Sequence, residues 1–361
     1  MFINLLTFWQ IILLIFGLAV FSWISWRRQD LGAALVVFLA PLYLLKIGQL
    51  PLTVLECLIW IFIIEYLIKN FLSEDEIYDF WLKIKDSLDK KYLVATSLIL
   101  IGMILAIFFS PDIKTGLGIF KSWFLAPMIF SLILFSDKEI NKKIPFAMSA
   151  SGILVAGIAL TYLIFGQMTY DGRLKAFYLS PNHLAMYLAP AFLMALAFWF
   201  EIKKFWQKIF LFLASCFLLF ILYFTYSYGA WLGLLAALIF VAIFLWQREL
   251  WDKRKLFLIF CLLFIVFLLI AASQLDSAKL NNLLISDHSS WQSRLMVWRS
   301  AGEILKDHWV LGIGPGLFQQ YYLEYQKYFP VPYLEWAVPQ PHNLFLAFWL
   351  QAGLLGLIGF L

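Results

Sequence analysis

The sequence predicts an all-α fold, a polytopic transmembrane helical bundle of about 11 spans, on three observations. First, 63% of the 361 residues are apolar and 14% are charged, where a soluble domain averages about 45–50% and about 25%. Second, the apolar residues fall in repeated blocks of about 17–22, each long enough to cross about 30 Å of hydrocarbon as a helix, which favours helices over a barrel. Third, the basic residues sort by connection rather than forming one patch. That sorting is a signature of topology, and it argues against a nucleic-acid partner.

Apolar segments run at about 5–26, 31–46, 51–69, 92–110, 120–136, 144–165, 184–201, 206–226, 228–246, 255–273 and 342–361. The first is expected to be a retained helix rather than a signal peptide, because no positive charge precedes it and no small-residue cleavage site follows. The second is short and carries Pro41, so it is expected to be kinked or incomplete. Cys57, Cys216 and Cys261 all lie inside apolar blocks, which excludes a disulfide framework and a thiolate metal site. No repeat or soluble linker interrupts the pattern, so 1–361 reads as a single polytopic membrane domain.

Alternate connections carry Arg27 and Arg28; Lys69, Lys83, Lys85, Lys90 and Lys91; Lys138, Lys142 and Lys143; Lys203, Lys204 and Lys208; and Arg248, Lys253, Arg254 and Lys255. The other set, apart from one long loop, carries only Lys46, Lys114, Lys121, Arg173 and Lys175. The richer set is therefore assigned to the cytoplasm. The short loop 166–183 and the long loop 274–341 then face outward, as does the N-terminus. The segment 73–91, "SEDEIYDFWLKIKDSLDKK", places Ile77, Phe80, Trp81, Ile84 and Leu88 at helical spacing between charges. We read it as an amphipathic helix at the cytoplasmic interface, with Ser73 as a candidate cap.

A charge at membrane depth costs several kcal/mol unless it is paired or wet, so candidate chemistry is sought in the outer connections. In "DGRLKAFYLSPNHLAMYLAP", 171–190, Arg173 and Lys175 precede a helix start at Ser180 and Pro181, with Asn182 next. A helix N-terminus beside cations suits an anion, although Ser-Pro-Asn can equally be a plain helix start. In "SDHSSWQSRLMVWRSAGEILKDHWVLGIGPGLFQQYY", 286–322, a helix is expected from Ser290, with Trp291, Leu295, Trp298, Gly302 and Leu305 along one side. Arg294 lies one turn before Trp298, and Arg299 follows. Arg294 offers a rigid donor fork for phosphate oxygens. The alternative is an arginine snorkelling from an interfacial helix.

The "GIGPG" run, 312–316, lacks the Lys-Ser/Thr sequel of a nucleotide loop, and Pro315 removes a backbone donor, so a tight turn ending the helix is expected. Finally, "PQPHNLFLAFWLQAGLLG" brings His342 and Asn343 to the point where the outer loop re-enters the membrane. Pro341 biases Gln340 to an extended conformation and so fixes where His342 projects. That imidazole can donate, accept or exchange a proton near neutral pH. The remaining histidines, His183, His288 and His308, show no ligand spacing, so no metal site is expected.

These three places, in this order, resemble the bacterial O-antigen ligase and polymerase family of membrane glycosyltransferases. The resemblance rests on Arg173 before "SPNHLA", on "SRLMVWRS" followed by "GIGPGLF", and on His342-Asn343 opening "PHNLFLAFWLQAGLLG"; it covers about 170–361. One departure is "TYSYGAWLGLL", where Tyr228 stands in place of the family's Ser-Arg-Gly arginine, so that arginine's role would pass to Arg299 or Lys175. The family also continues past the His-Asn helix, so the chain is expected to be a fragment or truncated product.

The resemblance implies a GT-C-like bundle in the bacterial cytoplasmic (inner) membrane, with its site facing outward. It implies a metal-independent, inverting glycosyl transfer without a cofactor. The donor would be an undecaprenyl-pyrophosphate-linked glycan, and the acceptor a hydroxyl on a lipid or glycan. Arg294 and His342 would be the catalytic residues, with Arg173, Lys175, Asn182, Arg299 and Asn343 holding pyrophosphate or glycan. A small-anion transporter and a protein O-oligosaccharyltransferase of the same family are the alternatives.

Overall fold

The computed structural model describes residues 8–48, 52–71, 78, 80, 82–85, 89–247, 264–265, 268, 272–273, 290–328 and 336–361. In chain order the main helices are α1 (Phe8–Arg27), α2 (Gln29–Phe38), α3 (Val54–Asn70), α4 (Lys90–Phe108), α5 (Ile113–Ser136), α6 (Ile144–Ile164), α7 (Pro181–Glu201), α8 (Phe205–Tyr223), α9 (Tyr228–Gln247), α10 (Ser290–His308), α11 (Phe318–Glu324) and α12 (Leu344–Phe360). No strand occurs among the described residues, which carry only an isolated bridge between Lys46 and Thr53. The fold is an all-α polytopic membrane bundle.

Seven helices among the described residues are long and apolar enough to cross a bilayer: Trp9–Arg27, Lys90–Phe108, Ile113–Ser136, Lys138–Ile164, Pro181–Phe200, Phe205–Tyr223 and Tyr228–Gln247. At 1.5 Å per residue, about 20 residues reach across the hydrocarbon core. Large apolar side chains such as Trp9, Phe16, Phe108, Trp123, Phe210 and Phe240 stand exposed, as lipid-facing groups must. The expected spans at 51–69 and 342–361 correspond to shorter helices, α3 and α12, of 17 residues each. The segment 31–46 becomes the 10-residue α2 followed by a 3₁₀ turn over Ala40–Leu44. Pro41 explains the change, because it lacks an N–H and its ring clashes with the preceding turn. The expected span at 255–273 lies almost wholly outside the described residues. Within 73–91, Tyr78, Phe80 and 82–85 are helical, with Ile84 buried between exposed Lys83 and Lys85; Asp89 caps the start of α4 at Lys90 and Lys91, and the other positions lie outside the described residues.

By packing, the chain divides into two units: Met1–Val36, Pro41–Lys142 and Ile285–Leu361 form one, Val37–Ala40 and Lys143–Leu284 the other. In the first unit α12 lies along α4, with glycines at the contact. A Cβ on Gly102 would come within 2.3 Å of the Ala352 carbonyl, and one on Gly359 within 2.6 Å of the Ala95 carbonyl. Small residues that let two backbones approach this closely replace the hydrophobic drive missing in lipid. Residue 102 meets 352 and residue 95 meets 359, so the helices are antiparallel. The start of α12, with His342 and Asn343, therefore stands at the Phe108 end of α4.

α12 is broken at Gly353, whose φ of 65° and ψ of −166° are not helical. In an unbroken helix the Leu354 amide would donate to the Leu350 carbonyl. Here Ile313 donates to Leu350 at 2.6 Å, and Leu354 donates to Val310 at 2.9 Å. One intrahelical bond is thus exchanged for two bonds to the chain that follows α10. The "GIGPG" run is more than a turn, because it wedges irregular backbone into the helix and leaves these groups satisfied. Irregular backbone inside a membrane protein is tolerated where protein covers it.

One carboxylate of the same unit, Glu56, is satisfied internally. Glu56 closes a capping box with Thr53 at the start of α3, accepts from Ser122 at 2.5 Å and pairs with Lys121 at 3.4 Å. Lys121 and Ser122 sit on a π-helical turn, Phe120–Leu125, within α5. In the second unit α6, α7 and α8 pack on one another, with Gly152 against Ala191 and Leu218. Ser151 donates to the Phe38 carbonyl at 2.6 Å. These helices hold the connection that carries Arg173.

Candidate functional site

In the second unit, Thr169 ties down the loop between α6 and α7. Its amide and hydroxyl donate to the Arg173 carbonyl, each at 2.9 Å, and its hydroxyl accepts from the Arg173 amide at 3.0 Å. Gly172, with φ of 71°, supplies the left-handed turn that this closure needs. The loop is fixed to the following connection by Leu174, whose amide donates to the Phe224 carbonyl at 2.8 Å.

Arg173 is 9% exposed. Its Nε donates to the Thr225 carbonyl and its Nη2 to Asn182 Oδ1, both at 2.9 Å, while Asp171 lies 3.7 Å from Nη1. Burial lowers the guanidinium's pKa from its ordinary value, and Asp171 opposes that shift. A planar fork with two of its three nitrogens occupied by neutral acceptors is held in one orientation, while the Asp171 carboxylate beside the third offsets part of its positive charge.

Asn182 lies in the first turn of α7, whose N-cap is Ser180 and whose first residue is Pro181. The structure therefore gives Asn182 a definite task, that of orienting Arg173. Lys175 is exposed on the same loop. Tyr228, the first residue of α9, lies within electrostatic reach of Arg173. The position that departs from the family pattern is thus beside this guanidinium, where a second arginine would place two cations together. The Thr225 carbonyl was not legible as a site group, because a main-chain acceptor leaves no side-chain signature. Asp171, two residues before Arg173, was the available signal for the charge partner.

In the first unit, Arg294 and Arg299 project from α10, and both are exposed. The helix starts at Ser290 as expected. Its buried face, however, consists of Met296, Val297, Ser300, Ala301, Ile304 and Leu305, whereas Trp291 is half exposed. Of the expected face Leu305 is buried, whereas Leu295, Trp298 and Gly302 are only half-buried, because small Ser300 and Ala301 allow the closer approach. Ile313, Phe318, Tyr322, Val338 and Leu350 complete the same core. Arg294 and Arg299 are five residues apart and so point to different sides of the helix.

His342 is exposed and has a φ of 50°, left-handed for a residue with a Cβ. Its neighbours enforce this conformation: Pro341 is buried, and Asn343 is the N-cap of α12, its Oδ1 accepting from the Leu346 amide at 3.2 Å. Strained backbone persists only where its surroundings over-determine it, and it concentrates at functional sites. Asn343 Oδ1 is occupied by the cap, so this residue acts first by fixing the histidine. Among the described residues, no group of three or more His, Cys, Asp or Glu side chains is arranged to hold a metal ion.

Residues 213–361 match the family described as O-Antigen ligase. The match takes in Tyr228, Arg294, Arg299, His342 and Asn343; Arg173, Lys175 and Asn182 lie ahead of it. No curated protein and no solved structure matches the chain. The family match supports the O-antigen ligase/polymerase resemblance and, with the spanning helices, a multi-pass membrane enzyme of that broad type.

Proposed function

We propose that the chain is a glycosyltransferase that transfers or polymerises an undecaprenyl-pyrophosphate-linked glycan onto a sugar acceptor at the outer face of the cytoplasmic membrane. The observation that carries this reading is the pre-set Arg173 fork, buried and oriented by Thr225 and Asn182, in a chain whose C-terminal part matches the O-antigen ligase family.

In the proposed reaction the acceptor hydroxyl oxygen attacks the anomeric carbon, and the bond from that carbon to the pyrophosphate oxygen breaks. His342 accepts the hydroxyl proton, which requires it to reach that oxygen within hydrogen-bond distance. The leaving pyrophosphate gains negative charge, which Arg173 and Arg294 neutralise without a metal, and Lys175 and Arg299 add to the positive field. Attack from the face opposite the departing group inverts the anomeric configuration. Asn182 and Asn343 are positioning residues, the first for Arg173 and the second for His342.

One observation weighs against small-anion transport. That mechanism uses broken helices whose free main-chain groups bind the cargo near the bilayer midplane. The break in α12 has its Leu350 and Leu354 groups paired with Ile313 and Val310. The test is complementation: in a host lacking this gene, the intact chain should restore full-length surface glycan and His342→Ala should not. Restoration by His342→Ala, or anion uptake by the purified protein in liposomes free of lipid-linked glycan, would overturn the proposal.

A further inference from the structure

The proposed chemistry leaves a second cluster of polar and aromatic groups unused at the C-terminal end of α10. Asp307, His308 and Trp309 line a cavity of about 200 Å³, together with Phe109 and the Val310–Gly312 segment. Tyr325 Oη donates to Asp307 Oδ2 at 2.7 Å and lies 3.5 Å from His308 Nε2. The His308 ring stands edge-on to Tyr321 at 5.0 Å. The Trp349 indole, on α12, donates to the Trp309 carbonyl at 2.7 Å, which pins the main chain while the Trp309 side chain stays half exposed.

The chemistry of this lining selects its occupant. Asp307 disfavours an anion. A hydrocarbon tail would strip water from Asp307 and His308 without replacing its hydrogen bonds. An interfacial aromatic belt accounts for Trp309 and Phe109, but not for a carboxylate held by a tyrosine hydroxyl with an imidazole beside it. A neutral ring with C–H faces and several hydroxyls matches all the groups, since its faces stack on aromatic rings while its hydroxyls meet the carboxylate and imidazole. The volume is below the roughly 300–1,000 Å³ that encloses drug-sized ligands, so it suits one sugar ring rather than a longer piece.

We infer that this cavity is a saccharide subsite that takes a single neutral sugar ring of the glycan, stacked on Trp309 with its hydroxyls on Asp307 and His308. The assignment rests on the proposed glycan-transfer reading and extends it to a contact away from the reacting atoms. The ring can belong to the donor glycan or to the acceptor, because both present the same chemistry.

The test is saturation-transfer NMR on the full chain in lipid nanodiscs, with free glucose, galactose, N-acetylglucosamine and rhamnose as probes. Transfer to the C–H protons of at least one sugar is expected. It should fall at least fivefold in Trp309→Ala and in Asp307→Ala and persist in Trp309→Phe, with unchanged thermal midpoints as the control on folding. No transfer to any probe, or transfer unaffected by both alanine variants, would overturn the inference.

Glycan assembly by the same variants separates the two readings. Assembly by the intact chain without any sugar signal removes the subsite alone, whereas a Trp309-dependent signal without assembly keeps the subsite and removes the transfer reading. Where both hold, a KM that rises in Trp309→Ala for only one substrate identifies whether the ring comes from donor or acceptor.

Discussion

Replacing Gly353 by alanine tests whether the α12 break is built into the fold. The backbone there, φ 65° and ψ −166°, lies in a region essentially reserved for glycine, and an L-residue in it costs on the order of 1–3 kcal/mol. An added Cβ would also come within 2.3 Å of the Val310 carbonyl oxygen and 2.8 Å of the Leu311 carbonyl carbon. Neither atom can swing away, because both are main chain. Moving them disrupts the Ile313 to Leu350 and Leu354 to Val310 bonds, each worth about 1 kcal/mol net. The sum is roughly 3–5 kcal/mol, in the range that a single substitution seldom reaches.

The control is Gly17→Ala on α1, where a Cβ meets nothing within 4 Å and helix propensity favours alanine by roughly 0.5–1 kcal/mol. Thermal unfolding of the full chain in nanodiscs should show Gly353→Ala melting on the order of 10 °C lower than the parent, at the few degrees per kcal/mol typical of larger domains. Gly17→Ala should be unchanged or slightly higher. Equal midpoints for the two variants would show instead that the wedge of Val310–Ile313 into α12 contributes little.

Three further outcomes are expected. Arg173→Lys keeps the charge but cannot donate to the Thr225 carbonyl and Asn182 in one plane, so glycan assembly should fall at least tenfold despite normal expression; assembly at the parental rate would contradict an oriented fork. Thr53→Ala removes the capping box at α3 and should cost about 1 kcal/mol, read as a lower thermal midpoint without loss of residual glycan transfer. Asp112, in the connection before α5, is held below the usual carboxylate range by the Thr115 hydroxyl and amide. Its stabilising contribution is present above the ordinary value of about 3.9 and is lost as pH falls through the lower folded value. Thermal midpoints across that acid window should therefore drop less in Asp112→Asn than in the parent.

The transmembrane segments were legible because their signal is local: an uncharged block of about 20 apolar residues must be satisfied as a helix. Ser180, Pro181 and Asn343 could be read as helix starts for the same reason, since each acts within its own first turn. What remained hidden depended on distant backbone. The "GIGPG" run read as a turn, yet its neighbours replace a helical hydrogen bond in α12, a pairing that no spacing rule encodes. Arg173 was visible as a charge, whereas its hold on the Thr225 carbonyl was not. His342 was noticed for its proton chemistry and for the proline before it, but its own left-handed backbone emerges only once Pro341 is buried and Asn343 caps the helix. The packing face of α10 misled because Trp291 and Trp298 outweigh Ser300 and Ala301 in hydrophobicity, while close approach favours the smaller side chains.

The proposed reaction is metal-independent glycan transfer from a lipid pyrophosphate, with Arg173, Arg294 and His342 as the working residues. Its most direct measurement is donor turnover by the purified chain in proteoliposomes containing undecaprenyl-pyrophosphate-linked glycan and acceptor, with EDTA present. Release of undecaprenyl pyrophosphate coupled to elongation or transfer of the glycan is expected, reduced at least a hundredfold in Arg173→Ala, Arg294→Ala and His342→Ala. Turnover at the parental rate in any of the three variants, or turnover that EDTA abolishes and a divalent metal restores, would contradict it.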